Sequence, residues 1–179
     1  MINATSSSML KHDPSKFDAK FGWFGGATSD ENIFISQNER SPWIQFHISP
    51  TPISAIVVIN RKDDFGEKFR NIEVRGGLDP NFLNNGVIGW FTGPGVTGGS
   101  HYIEFKRATE VEYLTLQMMG WDNLQMNGVK VIVGRLYEKG PDGLLYKCYP
   151  GNFTFYEAQA KCEDDDARIT IVENIITRK

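Results

Sequence analysis

Between residues 43 and 136 the chain repeats one arrangement: a short apolar or alternating segment, then a cluster of glycine, proline or asparagine. This constrains the fold more than any other feature, because a period of two puts every second side chain on one face of a strand. Ile44, Phe46 and Ile48 alternate with Gln45 and His47, and Ile72 and Val74 alternate with Glu73 and Arg75. Residues 53–59 are almost all apolar and β-branched, the texture of a central strand covered on both faces. Residues 102–105, 111–116 and 129–133 complete the set. Turn chemistry separates these segments at Ser49-Pro50-Thr51-Pro52, Gly76-Gly77, Asn84-Asn85-Gly86, Gly93-Pro94-Gly95, Gly98-Gly99 and Asn127-Gly128. No stretch here holds a helical period, and the βαβ alternation of a doubly wound nucleotide fold is absent. The expectation is an all-β, antiparallel β-sandwich.

The two ends differ. Residues 1–42 are polar, with Phe17, Phe21, Trp23, Phe24 and Phe34 scattered among Ser, Asp, Asn and Gly; they read as long loops over one end of the sandwich, where binding sites usually sit. The sandwich is expected to occupy residues 1–137. Glu138-Lys139-Gly140-Pro141-Asp142-Gly143 has the composition of a linker, placed at 138–144. Beyond it, Thr154-Phe155-Tyr156-Glu157 is a capping box opening a helix, with Phe155, Ala158 and Cys162 on one face. The acidic residues 163–166 close that helix, and residues 169–171 begin an extended segment. Residues 145–179 therefore read as a short strand-helix-strand segment, too small for a core of its own.

Composition narrows the function. Nineteen Lys and Arg against 22 Asp and Glu leave a net charge of −3, which argues against a nucleic-acid partner. The longest apolar run is strand-sized, so no transmembrane segment is expected. Cys148 and Cys162 are the only cysteines, which argues against a disulfide-dense scaffold and a structural zinc site. The first residues contain no apolar signal-peptide core, while the sequons Asn3-Ala4-Thr5 and Asn152-Phe153-Thr154 favour an extracellular or secreted origin, the chain then being a mature fragment or the product of an incomplete gene model. No nucleophile elbow, zinc-protease helix or phosphate-binding loop is present, so the chain is not expected to be an enzyme.

The stretch richest in chemistry is Asn60-Arg61-Lys62-Asp63-Asp64-Phe65-Gly66-Glu67-Lys68-Phe69-Arg70. It leaves a buried strand and enters a charged loop. Arg61 and Lys68 supply directional donors, and Asp63 is placed to hold either one. Fixed cations beside an acceptor suit a hydroxyl-rich ligand. On spacing alone, a solvated loop with weak surface ion pairs explains the same residues. Trp23, Phe24, Trp90 and Trp121 are open to two readings, core packing or stacking on a sugar face; Trp121-Asp122-Asn123 and Trp90-Phe91 lie beside Gly-rich turns and are the first choices for stacking.

Residues 43–68 resemble the F-type lectin (fucolectin) branch of the discoidin, or coagulation factor 5/8 C-type, domains. Pro42-Trp43-Ile44-Gln45-Phe46 matches that branch's Pro-Trp-aromatic strand, residues 53–59 its apolar strand, and Asn60-Arg61-x-Asp63 with Lys68 its basic motif. The resemblance implies a galactose-binding-like jelly roll, and a sugar held by Arg61 and Lys68 with Asp63 between them. The family's histidine position falls on Ser36 or Gln37, and its paired cysteines on Asp64 and Phe65. The family's calcium turn, Asp-Gly-Asn, reads Asp18-Ala19-Lys20 here, leaving Asp18 as the candidate ligand for a calcium ion. A second resemblance lies in the tail. Tyr146-Lys147-Cys148-Tyr149, then Thr154-Phe155-x-Glu157-Ala158-Gln159 and Cys162, are similar to the opening of a C-type lectin-like domain, cut off before that family's calcium and sugar ligands.

The expected function is that of a lectin-like module whose partners are glycans or glycoproteins, with Arg61, Asp63, Lys68, Ser36, Gln37 and Trp121 as candidate ligand-binding residues. Oligomerisation would supply avidity to a weak single site. The alternatives are an extracellular adhesion module for protein or lipid headgroups and an accessory carbohydrate-binding module of a larger enzyme.

Overall fold

The computed structural model describes residues 1–26, 32–134, 138–139, 145–146 and 154–164. Its strands are β1 (Asn3–Ser6), β2 (Phe34–Ile35), β3 (Glu39–Arg40), β4 (Trp43–Ile59), β5 (Ile72–Gly77), β6 (Gly86–Phe91), β7 (Ser100–Met118), β8 (Trp121–Asp122), β9 (Gln125–Met126), β10 (Gly128–Val133), β11 (Glu138–Lys139) and β12 (Leu145–Tyr146). Two α-helices, α1 (Pro14–Phe17) and α2 (Phe155–Asp164), and four short 3₁₀ turns complete it.

The fold is an antiparallel sheet in the order β1-β4-β7-β5-β6, with β10 on the far half of β4. Its two long strands, β4 and β7, pair along most of their lengths. The first half of β4 pairs with β1, from Ile44 to His47, and the second half with β10. Between them the β4–β7 register shifts at His47/Thr51 and again at Ile53/Ala55. The sequence predicts a chain-reversing turn at Ser49-Pro50-Thr51-Pro52, and the structure corrects it to a bulged bend within one strand. Proline cannot donate to a ladder and so collects at bulges; the bend redirects the strand without ending it. Likewise the expected strands at 102–105 and 111–116 are two halves of β7.

The sheet doubles back on itself. A Cβ built on Gly89 of β6 would lie 2.9 Å from the ring of Phe105 in β7, and one on Gly76 of β5 would lie 2.8 Å from Val111. The core between these layers holds Ile44, Phe46, Ile48, Ile53, Ile56, Val58, Ile72, Val74, Leu114 and Leu116. The inward alternation read from the sequence at 44–48 and 72–74 is thus the observed one. Residues 53–59 run between β7 and β10 as a central strand, but Ser54, Val57 and Ile59 are half-exposed, so only one face is fully covered.

The N-terminal segment is more than loops. Residues 3–6 form β1 on the edge of the sheet, and Phe21 and Phe34 are buried. Trp23 packs against Phe46 with ring centroids 5.2 Å apart. Two short ladders close this end: Phe34 and Ile35 pair with Met126 and Gln125, and Glu39 and Arg40 pair with Asp122 and Trp121.

In the tail, Glu138 and Lys139, within the expected linker, pair with Tyr146 and Leu145. The capping box of α2 forms as read: Thr154 Oγ1 accepts from Glu157 N at 3.3 Å, and Glu157 Oε2 accepts from Thr154 N at 2.8 Å. The boundary at 137, Cys148, Asn152 and Phe153 of the second sequon, and residues 165–179 lie outside the described residues. No helix among the described residues is long and apolar enough to cross a membrane.

Candidate functional site

At the end of β4 the chain enters a loop tied down almost residue by residue. Asn60 is fully buried. Its Nδ2 donates to Gly66 O at 2.8 Å and Val96 O at 3.0 Å, and its Oδ1 accepts from Arg61 N at 2.9 Å. One amide thus closes the loop and joins it to the 93–99 turn. Gly66 N donates to Thr97 Oγ1 at 3.0 Å, and Gly98 N to Arg61 O at 2.6 Å. Gly66 is required here by close approach: a Cβ would collide with the backbone of Thr97. Gly66→Ala is expected to cost about 1–3 kcal/mol through forced displacement, read by denaturant unfolding, and to weaken ligand binding because the two turns must separate.

This loop presents Arg61. Its Nε donates to Asp63 Oδ1 at 2.7 Å and its Nη2 to Asp63 Oδ2 at 2.5 Å, a two-pronged pair. Its Nη1 donates to Gln125 Oε1 at 2.6 Å. Gln125, buried in β9, also donates from Nε2 to Phe65 O at 2.5 Å. A guanidinium has five N–H groups, so one on Nη1 and one on Nη2 remain open among the described residues. Phe65 adopts the left-handed conformation, φ +61°, uncommon for a bulky residue. The residue is 56% exposed, and Arg61 Cζ and Lys68 Nζ each lie 5.6 Å from its ring centroid. Lys68 Nζ is 3.2 Å from Asp122 Oδ1, while Arg70 Nη2 holds the other oxygen at 2.9 Å.

Arg61 also sets the charge state of Asp63. Its hydrogen bonds pull the Asp63 carboxyl well below the usual carboxylate range, to about 2. A folded-state value below the unfolded 3.8 means the pair's stabilising contribution is complete above about pH 4 and lost as pH falls through about 2. Asp63 should therefore stay ionised, and Arg61 oriented, from pH 7 down to pH 4. Carboxyl-carbon NMR of Asp63 reads this directly; a midpoint near 4 would show that the pair does not form in solution.

Arg61, Asp63, Phe65, Lys68, Asn123 and Gln125 line a cavity of about 450 Å³, whose remaining wall is Leu10, Lys16, Phe17, Ile33 and Ile35. The structure thus brings Arg61, Asp63 and Lys68 together at one opening. The other expected residues fall elsewhere. Ser36 is fully buried: its hydroxyl donates to Gln37 O at 2.9 Å and accepts from Leu124 N at 2.9 Å. It is a structural tie, not a residue open to ligand. Gln37 contacts His12, Nε2 to Nε2 at 3.0 Å, and does not line the cavity. Trp121 is 70% exposed but lies off the cavity.

Asp18 caps the turn Ala19–Gly22: its Oδ1 accepts from Lys20 N at 2.9 Å, and its Oδ2 lies 4.0 Å from Lys20 Nζ. Among the described residues no group of three or more His, Cys, Asp or Glu converges. A lone carboxylate beside an ammonium does not fit a calcium ion, which takes six to eight oxygens.

Sequence reasoning missed Gln125, Phe65 and the apolar wall. Gln125 lies 64 residues from Arg61, and the β4–β10 pairing, Gly128 against Ile59, brings it there.

No family model matches the chain, and no curated protein matches it. Solved structures do. A fucolectin from striped bass (Morone saxatilis) serum superposes with TM-score 0.62 at 22% identity over 75% of this chain and 47% of that one; the chain thus spans about half that lectin's length. CpGH89CBM32-5 from Clostridium perfringens, solved with GalNAc-β-1,3-galactose, gives 0.62 at 16% identity, covering 73% and 94%. The lectin domain of lectinolysin, solved with Lewis B antigen, gives 0.57 at 15%, covering 74% and 93%. At these identities the likeness establishes the fold: the jelly-roll sandwich that F-type lectins share with carbohydrate-binding modules.

Proposed function

We propose that this chain is a non-catalytic carbohydrate-binding module that takes glycan hydroxyls at the opening beside Arg61. The observation that carries the reading is the state of Arg61. It is clamped by Asp63 and Gln125 while, among the described residues, two of its N–H groups have no partner. Neighbouring hydroxyls on a sugar ring each need a donor or an acceptor at fixed separation. Arg61 and Lys68 supply donors, Asp63 supplies exposed acceptor oxygens, and the Phe65 ring offers an apolar face for the ring carbons. Arg61 faces Asp63, and Lys68 shares Asp122 with Arg70, so both donors are held in place. The sugars named for the structural neighbours support the ligand class.

A single shallow site of this kind binds weakly, and we place its use in multivalent, extracellular recognition of glycoproteins. We also propose that residues 1–137 form the binding unit and that the segment after the linker belongs to a separate, C-type-lectin-like module.

The test is a glycan array on folded protein, with calcium and with chelator. Selective binding, equal in both arms, is expected. A blank array would overturn the reading and move the search to protein or lipid-headgroup partners; binding that needs calcium would place the site away from the Arg61 opening.

A further inference from the structure

The opening divides by chain segment into two chemistries. Residues 61–68 and 123–125 contribute Arg61, Asp63, Lys68, Asn123 and Gln125 together with the Phe65 ring; residues 10–35 contribute Leu10, Phe17, Ile33 and Ile35, with Lys16 the one charged side chain among them. Leu10, Phe17 and Ile33 are half-buried and Ile35 is buried, so an apolar wall stands beside the hydroxyl-binding side. It is fixed in place. Asp13 Oδ1 accepts from Ser15 N at 3.0 Å at the start of α1, Asp13 N donates to Leu10 O at 3.2 Å, and Ile33 N donates to Lys16 O at 3.0 Å.

We propose that the ligand is a sugar bearing an apolar substituent of several carbons, and that Leu10, Phe17, Ile33 and Ile35 receive that substituent. The inference rests on the sugar-binding reading and deepens it. A hydroxyl turned toward this wall gives up its water and gains no partner, which lowers affinity roughly tenfold or more. An alkyl or acyl carbon there leaves water at no such cost and raises affinity about fourfold for each methylene buried. An acyl group on a sugar nitrogen and an aglycone at the anomeric carbon share this chemistry.

Two ligand series distinguish those sources: methyl, propyl and hexyl β-D-galactosides and α-L-fucosides, and N-acetyl, N-butanoyl and N-hexanoyl galactosamine, with hexanol as the control for unspecific apolar binding. Calorimetry or competition is expected to show affinity rising about fourfold per carbon over the first few carbons, then levelling, in at least one series. The hexyl-to-methyl (or hexanoyl-to-acetyl) ratio should fall toward one in Leu10→Ser and in Ile33→Thr, whichever of the two folds, while Arg61→Ala lowers every member. A flat series in the wild type, or an unchanged ratio in the folded wall variants, overturns the inference and leaves the sugar reading standing. Absence of binding by every member overturns both.

Discussion

Replacing Arg61 with alanine is expected to lower glycan affinity at least a hundredfold. The substitution removes the two open N–H groups; hydrogen bonds to a charged donor are worth about 1.5–3 kcal/mol each, and 1.4 kcal/mol is tenfold in affinity. It also frees Asp63, whose two oxygens both rest on Arg61. Stability should fall by about 1–3 kcal/mol, because Gln125 Oε1, 1% exposed by residue, then stays buried without its donor. Arg61→Lys separates charge from geometry. An ammonium has no planar fork and cannot hold Asp63 and Gln125 together while still presenting two donors. It should keep most of the stability and lose most of the binding. Lys62, exposed and one residue away, is the control, and Lys62→Ala should leave both unchanged.

The second large effect is on stability. Phe69, inside the charged stretch, is fully buried. Its ring lies 5.2 Å from Phe91 and 5.7 Å from His101, centroid to centroid, and its carbonyl accepts from Gly95 N at 2.8 Å. It is the apolar anchor that holds the 60–70 loop to the 93–99 turn. Phe69→Ala should cost about 3–5 kcal/mol, a drop of roughly 6–20 °C in Tm for a chain of this size. Because Phe69 follows Lys68 directly and fixes the loop that carries it, affinity should fall even where the variant is fully folded. Phe69→Leu keeps most of the volume and should cost under about 1.5 kcal/mol. Urea unfolding of both variants, with binding measured well below each midpoint, separates the two effects.

These two residues mark how far the sequence could be read. Arg61, Asp63 and Lys68 announce themselves by charge and spacing, and they meet at one opening. Phe69 sits among charged neighbours, where local pattern says loop; its burial comes from Phe91 and His101, residues far along the chain. Strand alternation identified Ile44, Phe46, Ile72 and Val74 because each strand shows one face to the core. It missed β6, Gly86-Val87-Ile88-Gly89-Trp90-Phe91, whose glycines blur the alternation. Gly89 is small because Phe105 and Ile103 press against it from across the core, a tertiary cause with no local signal. Ser36 misled in the opposite sense: aligned by resemblance with a binding histidine, it lies buried, fastening Leu124. The apolar wall of the opening was invisible for a related reason. Leu10, Phe17, Ile33 and Ile35 come from a polar segment with no period, and they meet only in the folded chain, where Ile33 N donates to Lys16 O.

The central claim is that sugar binds at the Arg61 opening and not elsewhere on the sandwich. The most direct test is an NMR titration of the folded protein with the best glycan from the array, following the Arg61 Nε–H and Gln125 side-chain amide signals. Saturable shifts of both, with one dissociation constant and with the signals of Trp90 on β6 unmoved, are the predicted result. Saturable shifts centred on Trp121 or Trp90 while the Arg61 and Gln125 signals stay fixed would contradict it.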